Sequence, residues 1–193
     1  NTSFNLYYSG GEQGRFSYTY SGNLSGENSG VSLMYIPENF EDAQLVDRTN
    51  GGVVTQTAQE QWDILNNYIE NDPYLSENRG SVSERNGGIL PWLHRLDLSI
   101  TQDIHLTKDP SKHKLQFRAD ILNVLNMMND SWGVSRRTVQ RNLMNFEGTD
   151  ANGNAQFTIN PIQGESTFPT DVTVPNFDLG QTWSAQFGVK YIF

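Results

Sequence analysis

Four stretches of this sequence alternate apolar and polar residues with period two, and that period commits them to strands. In HRLDLSITQDIHL, Leu96, Leu98, Ile100, Ile104 and Leu106 share one face. Arg95, Asp97, Ser99, Thr101, Asp103 and His105 share the other. KLQFRADIL sets Leu115, Phe117, Ala119 and Ile121 against Gln116, Arg118 and Asp120. NTSFNLYYSG sets Thr2, Phe4, Leu6 and Tyr8 against Ser3, Asn5 and Tyr7, and its alternation resumes after GGEQG in Phe16, Tyr18 and Tyr20. The last stretch, WSAQFGVKYIF, places Trp183, Ala185, Phe187, Val189, Tyr191 and Phe193 together and stops on the aromatic. The strands are therefore expected at about 2–20, 95–106, 114–126 and 183–193, antiparallel and consecutive.

Only one connection is short. TKDPSKH joins the second and third strands with turn chemistry at Asp109-Pro110-Ser111. The other two, about 21–94 and 127–182, are long, so both leave from the same end of the sheet. In the first, TAQEQWDILNNYIEND predicts a helix from about Ala58 to Glu70. Thr57 and Glu60 form its capping box, Trp62, Leu65 and Ile69 its apolar stripe, and Asp72-Pro73 its stop. In the second, LMNFEG and AQFTIN predict a small hairpin turning at Asn152-Gly153. If Leu106 faces Leu115, then Ile104 faces Phe117, Ile100 faces Ile121, Asp103 faces Arg118 and Thr101 faces Asp120.

An alternating sheet can belong to a soluble sandwich or to a membrane barrel, and the alternation leaves both open. Three features favour the barrel: charges of both signs on the polar faces, strands near the roughly 9–11 residues that cross a bilayer, and the aromatic last residue. No run of 18 apolar residues exists, so no transmembrane helix is expected. A net charge of −9 disfavours nucleic-acid binding, which needs a basic face. The absence of cysteine removes thiolate metal sites and thiol nucleophiles.

Catalytic and metal signals are weak. Asp150-Ala-Asn152-Gly-Asn154 starts like a calcium loop but has Ala155 at the sixth place and no Glu at the twelfth, so it reads as a turn. His94, His105 and His113 are dispersed, and no nucleophile elbow occurs. No enzyme activity and no cofactor are expected. Arg85-Asn86 and Trp92 read as anchors of a folded-back loop. Arg136, Arg137 and Arg141 suit either lipopolysaccharide phosphates or the acidic first loop around Glu12, Glu27, Glu38, Glu41, Asp42 and Asp47.

The segments YYSG…FSYTY, DPYLSENRG, SERNGGILPW, LDLSITQDI, FRADILNVLNMMNDSWG and WSAQFGVKYIF, in that order, resemble the C-terminal end of TonB-dependent outer-membrane receptors, most of all the Oar-like receptors of Bacteroidetes. The most specific parts are Arg79-Gly80, Arg85-Asn86, Pro91-Trp92, DILNVLN with Trp132-Gly133, and the terminal strand.

The resemblance implies an all-β fold: an antiparallel meander forming the last strands of a transmembrane β-barrel, with a short helix in a long extracellular loop. Such barrels close with roughly 22 strands, so residues 1–193 would be a C-terminal segment, with the plug domain and the TonB-contacting part outside them. Ala185, Phe187, Val189, Tyr191 and Phe193 match the signal read by the barrel-assembly machinery. Arg95, Asp97, Asp103, Arg118, Asp120 and Lys190 would face the lumen. The implied function is import of an unidentified nutrient across the outer membrane of a Gram-negative cell with TonB-supplied energy. Its partners would be outer-membrane lipid, the rest of the barrel and plug, TonB and the assembly machinery. The alternative is a soluble or surface β-rich binding or adhesion module without transport.

Overall fold

The computed structural model describes residues 1–24, 26, 32–109, 113–162, 167–176, 178 and 180–193. The chain begins with β1 (Thr2–Glu12), β2 (Arg15–Phe16), α1 (Phe40–Ala43), β3 (Arg48–Asn50) and β4 (Val53–Gln56). Helices α2 (Ala58–Asn71) and α3 (Pro73–Glu77) follow, then β5 (Gly88–Ile89), β6 (Trp92–His105) and β7 (Lys114–Leu122). It ends with α4 (Val124–Met128), β8 (Arg136–Thr138), β9 (Met144–Thr149), β10 (Ala155–Ile159), β11 (Thr173–Pro175) and β12 (Ser184–Ile192). The described structure is mostly β, built on antiparallel sheets. It divides into a sheet unit (1–13, 91–136 and 175–193) and a core unit (14–90 and 137–174).

The sheet unit is the predicted meander, in the order β1-β6-β7-β12. Its pairing puts Phe4, Ile100, Ala119 and Phe187 in one cross-strand row, and Leu6, Leu98, Ile121 and Ala185 in the next. The opposite face carries rows such as Asn5, Ser99, Asp120 and Gln186. Opposite residues in an antiparallel pair share a face, so the alternation segregates the two chemistries as expected.

The register of β6 against β7 differs from the expected one by two residues. Thr101 faces Arg118, Asp103 faces Gln116 and Ile104 faces Leu115, so the expected Asp103–Arg118 and Thr101–Asp120 pairs do not form. Nor does Ile100 face Ile121, since Ala119 lies opposite it. Ion pairing accounts for the shift. Asp103 accepts from Lys114 Nζ at 3.1 Å and Gln116 Nε2 at 2.8 Å, while Arg118 turns to Asp120 of its own strand at 2.7 Å. The observed register satisfies both carboxylates, whereas the expected one would have spent Arg118 on Asp103.

The first strand is also shorter than the expected 2–20. It ends at Glu12, and Gly14, with φ of 135°, redirects the chain. Phe16, Tyr18 and Tyr20 do not continue a sheet face; they are buried in the core unit. The third strand ends at Leu122 rather than near 126, because Asn123 turns left-handed (φ 55°) and α4 begins.

The two long connections supply the core unit and its hydrophobic core. Helix α2 begins with the predicted capping box, in which Thr57 and Glu60 cap each other, and buries Leu65, Tyr68 and Ile69. The burial of Leu65 and of Ile69 contributes about 1.5–3 kcal/mol each. Tyr20 stacks on Phe157 at 4.7 Å between centroids, which ties the first connection to the β9–β10 hairpin of the second. Buried Gln61 works from α2 in the same way: its Nε2 donates to Val46 O at 2.8 Å, and its Oε1 accepts from Ile159 N at 3.0 Å. The hairpin turns where expected, because Asp150 Oδ1 accepts from both Asn152 N and Asn154 N at 2.8 Å. Those bonds, with one from Asn154 Nδ2, hold the Asp150 carboxyl below the usual carboxylate range.

Candidate functional site

All six residues expected to line a lumen lie on the polar face of the four-stranded sheet. Arg95 and Asp97 stand on β6 opposite Ser9 and Tyr7, and Asp103 opposite Gln116. Arg118 and Asp120 stand on β7, and Lys190 of β12 faces Gln116. Each charge but Lys190 has a defined hold. Arg95 donates to Gly180 O at 3.3 Å, and Asp97 accepts the Asn123 N–H at 2.8 Å. With Lys114 the face carries three carboxylates and four cations, so it is polar without a strong net charge. Asn5, Tyr7, Asp97, Ser99, Arg118 and Asp120 border a hollow of about 770 Å³. The chemistry available there is hydrogen bonding and ion pairing to a polar surface.

The opposite face is apolar and uncovered. Phe4 is 67% exposed, Leu6 68% and Phe187 79%, and Val189, Phe117 and Ile104 are exposed with them. Among the described residues the only buried hydrophobic side chain of the sheet unit is Val134; all the others belong to the core unit. Large aromatics mark both ends of this face. Trp92 and Tyr8 stand at the end where β6 begins, Trp183 immediately precedes β12 at that end, and Tyr191 with the ring of Phe193 beside it stands at the other. A polar pair interrupts the band, Thr2 opposite Gln102, with the Thr2 hydroxyl donating to the Gln102 carbonyl; His94 and Glu12 lie on the same face near its Trp92 end.

The expected assembly-signal residues Ala185, Phe187, Val189 and Tyr191 lie exposed along this face of β12, an edge strand of the sheet. Phe193 follows the strand, 89% exposed.

The three histidines stay apart in role. His94 bonds the Tyr8 hydroxyl at 2.8 Å, His113 bonds that of Tyr191 at 2.5 Å, and His105 pairs with Lys114 in the ladder. No group of three metal-capable side chains occurs among the described residues.

The DILNVLN segment has a structural task that the alternation did not reveal. Asn123 Nδ2 donates to Gly133 O at 2.9 Å and to Gln181 O at 2.6 Å. Asn126 Nδ2 donates to Asp130 O and Trp132 O, and its Oδ1 accepts from Trp183 N at 3.1 Å. Two buried amides three residues apart thus tie the end of β7 to the start of β12. The signal was present in the sequence as paired asparagines in an otherwise apolar run. Arg79, another of the resembling residues, is held by Asn66 at 2.7 Å and Pro37 O at 3.3 Å, and Gly80 beside it takes φ of 75°.

No family model, curated protein or solved structure matches the chain.

Proposed function

We propose that this chain is the C-terminal barrel segment of a TonB-dependent outer-membrane receptor that imports a nutrient. The observation that carries the reading is the uncovered apolar face with aromatics at both ends. From Trp183 to Tyr191 the strand advances about 27 Å at ~3.4 Å per residue. A strand tilted by roughly 35–45° would then span about 19–22 Å of the ~25 Å apolar band of outer-membrane barrels. A sheet that buries neither face offers no core of its own in water. On this reading the polar face lines a lumen beside a plug, and TonB acts through that absent part. The exposed edge of β12 would be the template for the assembly machinery.

The second reading, a β-rich binding or adhesion module without transport, draws on the core unit, which has the buried aromatic core of a self-supporting recognition domain. Reconstitution into bilayers of brominated lipid separates the two. Variants retaining Trp183 alone should be quenched by bromines near the interface, and variants retaining Trp62 alone should not. A chain that stays monomeric and ordered in detergent-free buffer, with Trp183 unquenched, overturns the transport reading.

A further inference from the structure

The core unit contains a cavity of about 660 Å³ whose lining takes arginines from three separate parts of the chain, Arg15, Arg85 and Arg141. In a protein with 22 acidic and 13 basic residues, none of the lining residues is acidic. The backbone explains how the three come together. Thr19 N donates to Arg141 O at 3.3 Å while Thr19 bridges Leu33, so the segment carrying Arg141 runs beside residues 15–19. Asn142 Nδ2 reinforces that contact by donating to Thr19 Oγ1 at 2.7 Å.

Arg85 arrives on a tight turn, with Gly87 N donating to Glu84 O at 3.2 Å and Asn86 at φ of 61°. Ser17 Oγ accepts the Asn86 N–H at 2.8 Å, which fixes the turn against the same segment. A Cβ on Gly87 would stand 2.4 Å from the Tyr74 ring, so a larger residue there requires that ring to move.

We infer that this cavity is a binding site for a phosphate group. Arg85 and Arg141, in a lining without a carboxylate, place positive charge at a concavity, which favours an anion. A phosphate ester offers about −1.5 to −2 charges and three acceptor oxygens, enough to engage more than one planar fork at once. A single carboxylate would satisfy one fork only. The side chains of Arg85, Arg141 and Asn86 have no hydrogen-bond or ion-pair partner among the described residues, so their donors are available. The inference stands on this cavity alone and does not depend on the transport reading. The phosphate could belong to a soluble ligand or to a lipid headgroup.

The test is calorimetric titration of the full chain, folded in detergent, with inorganic pyrophosphate, repeated with diphosphoryl lipid A in mixed micelles. Saturable binding should weaken about tenfold or more in each of Arg85→Gln and Arg141→Gln, the scale of one lost charge-assisted hydrogen bond. Lys108→Gln, exposed and outside the cavity, should leave it unchanged, and Arg85→Lys should keep part of it. Binding of pyrophosphate identifies a soluble phosphate ligand, and binding of lipid A alone identifies a headgroup. Absence of both in chains whose circular dichroism matches the folded protein overturns the inference. So does binding that both arginine variants leave intact.

Discussion

The Tyr18 hydroxyl donates to Asp72 Oδ2 at 2.5 Å, in the interior of the core unit, where Tyr18 is fully buried and Asp72 nearly so. The other oxygen of the same carboxylate accepts the Leu75 N–H at 2.9 Å and caps α3. Asp72 therefore ends α2 through its backbone N–H, while its side chain starts α3 and anchors the segment that follows β2. Tyr68, edge-on to Tyr18 at 6.5 Å, donates to Gln140 O at 3.1 Å and extends the connection to the second inserted segment.

Replacing Asp72 by alanine should remove the cap and leave the Tyr18 hydroxyl buried without its acceptor. The combined loss is about 2–4 kcal/mol. Asp72→Asn retains a carbonyl for Leu75 and should cost less. Chemical denaturation followed by tyrosine fluorescence measures both, and equal stabilities of the two variants would refute the capping role.

Burial raises Tyr18, Tyr20 and Tyr68 above the usual tyrosine value of 10.0, with the neighbouring Asp72 adding to the effect on Tyr18 and Tyr68. The folded chain keeps these protons at a pH where the unfolded chain loses them. Stability is therefore fully present below about pH 10 and falls as pH rises beyond it. An alkaline spectrophotometric titration should show three of the eight tyrosines lagging until cooperative unfolding releases them. Eight tyrosines titrating together in the folded protein would contradict this.

The register of β6 against β7 can be read by cross-linking, since the chain has no cysteine of its own. Thr101→Cys with Arg118→Cys should form a disulfide on mild oxidation, because these positions are directly opposite. Asp103→Cys with Arg118→Cys should not, because diagonal neighbours at about 7–8 Å exceed the reach of the bond.

Gly133 has φ of 65°, and a Cβ on it would stand 2.0 Å from Asn123 Oδ1. Gly133→Ala should therefore cost about 1–3 kcal/mol from strain and a displaced buried amide. Comparing its unfolding midpoint with that of Gly188→Ala, where a Cβ meets nothing within 4 Å, tests the claim. Similar midpoints would show that the Asn123 corner tolerates displacement.

Much of the sheet was legible because its period is local. Leu96, Leu98 and Ile100 announce a face without reference to any other segment, and Thr57 with Glu60 announces a helix start. The register was not legible, because it depends on how Asp103 divides itself between Lys114, Gln116 and Arg118, a competition settled only across the turn. The fate of Phe16, Tyr18 and Tyr20 was misread for a related reason. Their alternation is genuine, but partners at Tyr68, Met144 and Phe157, far along the chain, draw them into a core. The arginine cavity left no trace in any single stretch, since its three arginines come from segments that only the fold makes neighbours.

The bond from Ser21 N to Met144 O at 2.9 Å joins residues that the ribosome makes far apart in time. At a synthesis rate of ~5–20 residues per second, the interval is roughly 6–25 s. From Ile69 onward, Tyr18, Tyr20, Leu65 and Ile69 are already made while Leu143, Met144 and Phe157, which complete their cluster, are not. The emerging chain thus carries a sticky, half-finished nucleus while the residues between Ile69 and Leu143 are made. The cluster can close only when Leu143, Met144 and Phe157 arrive.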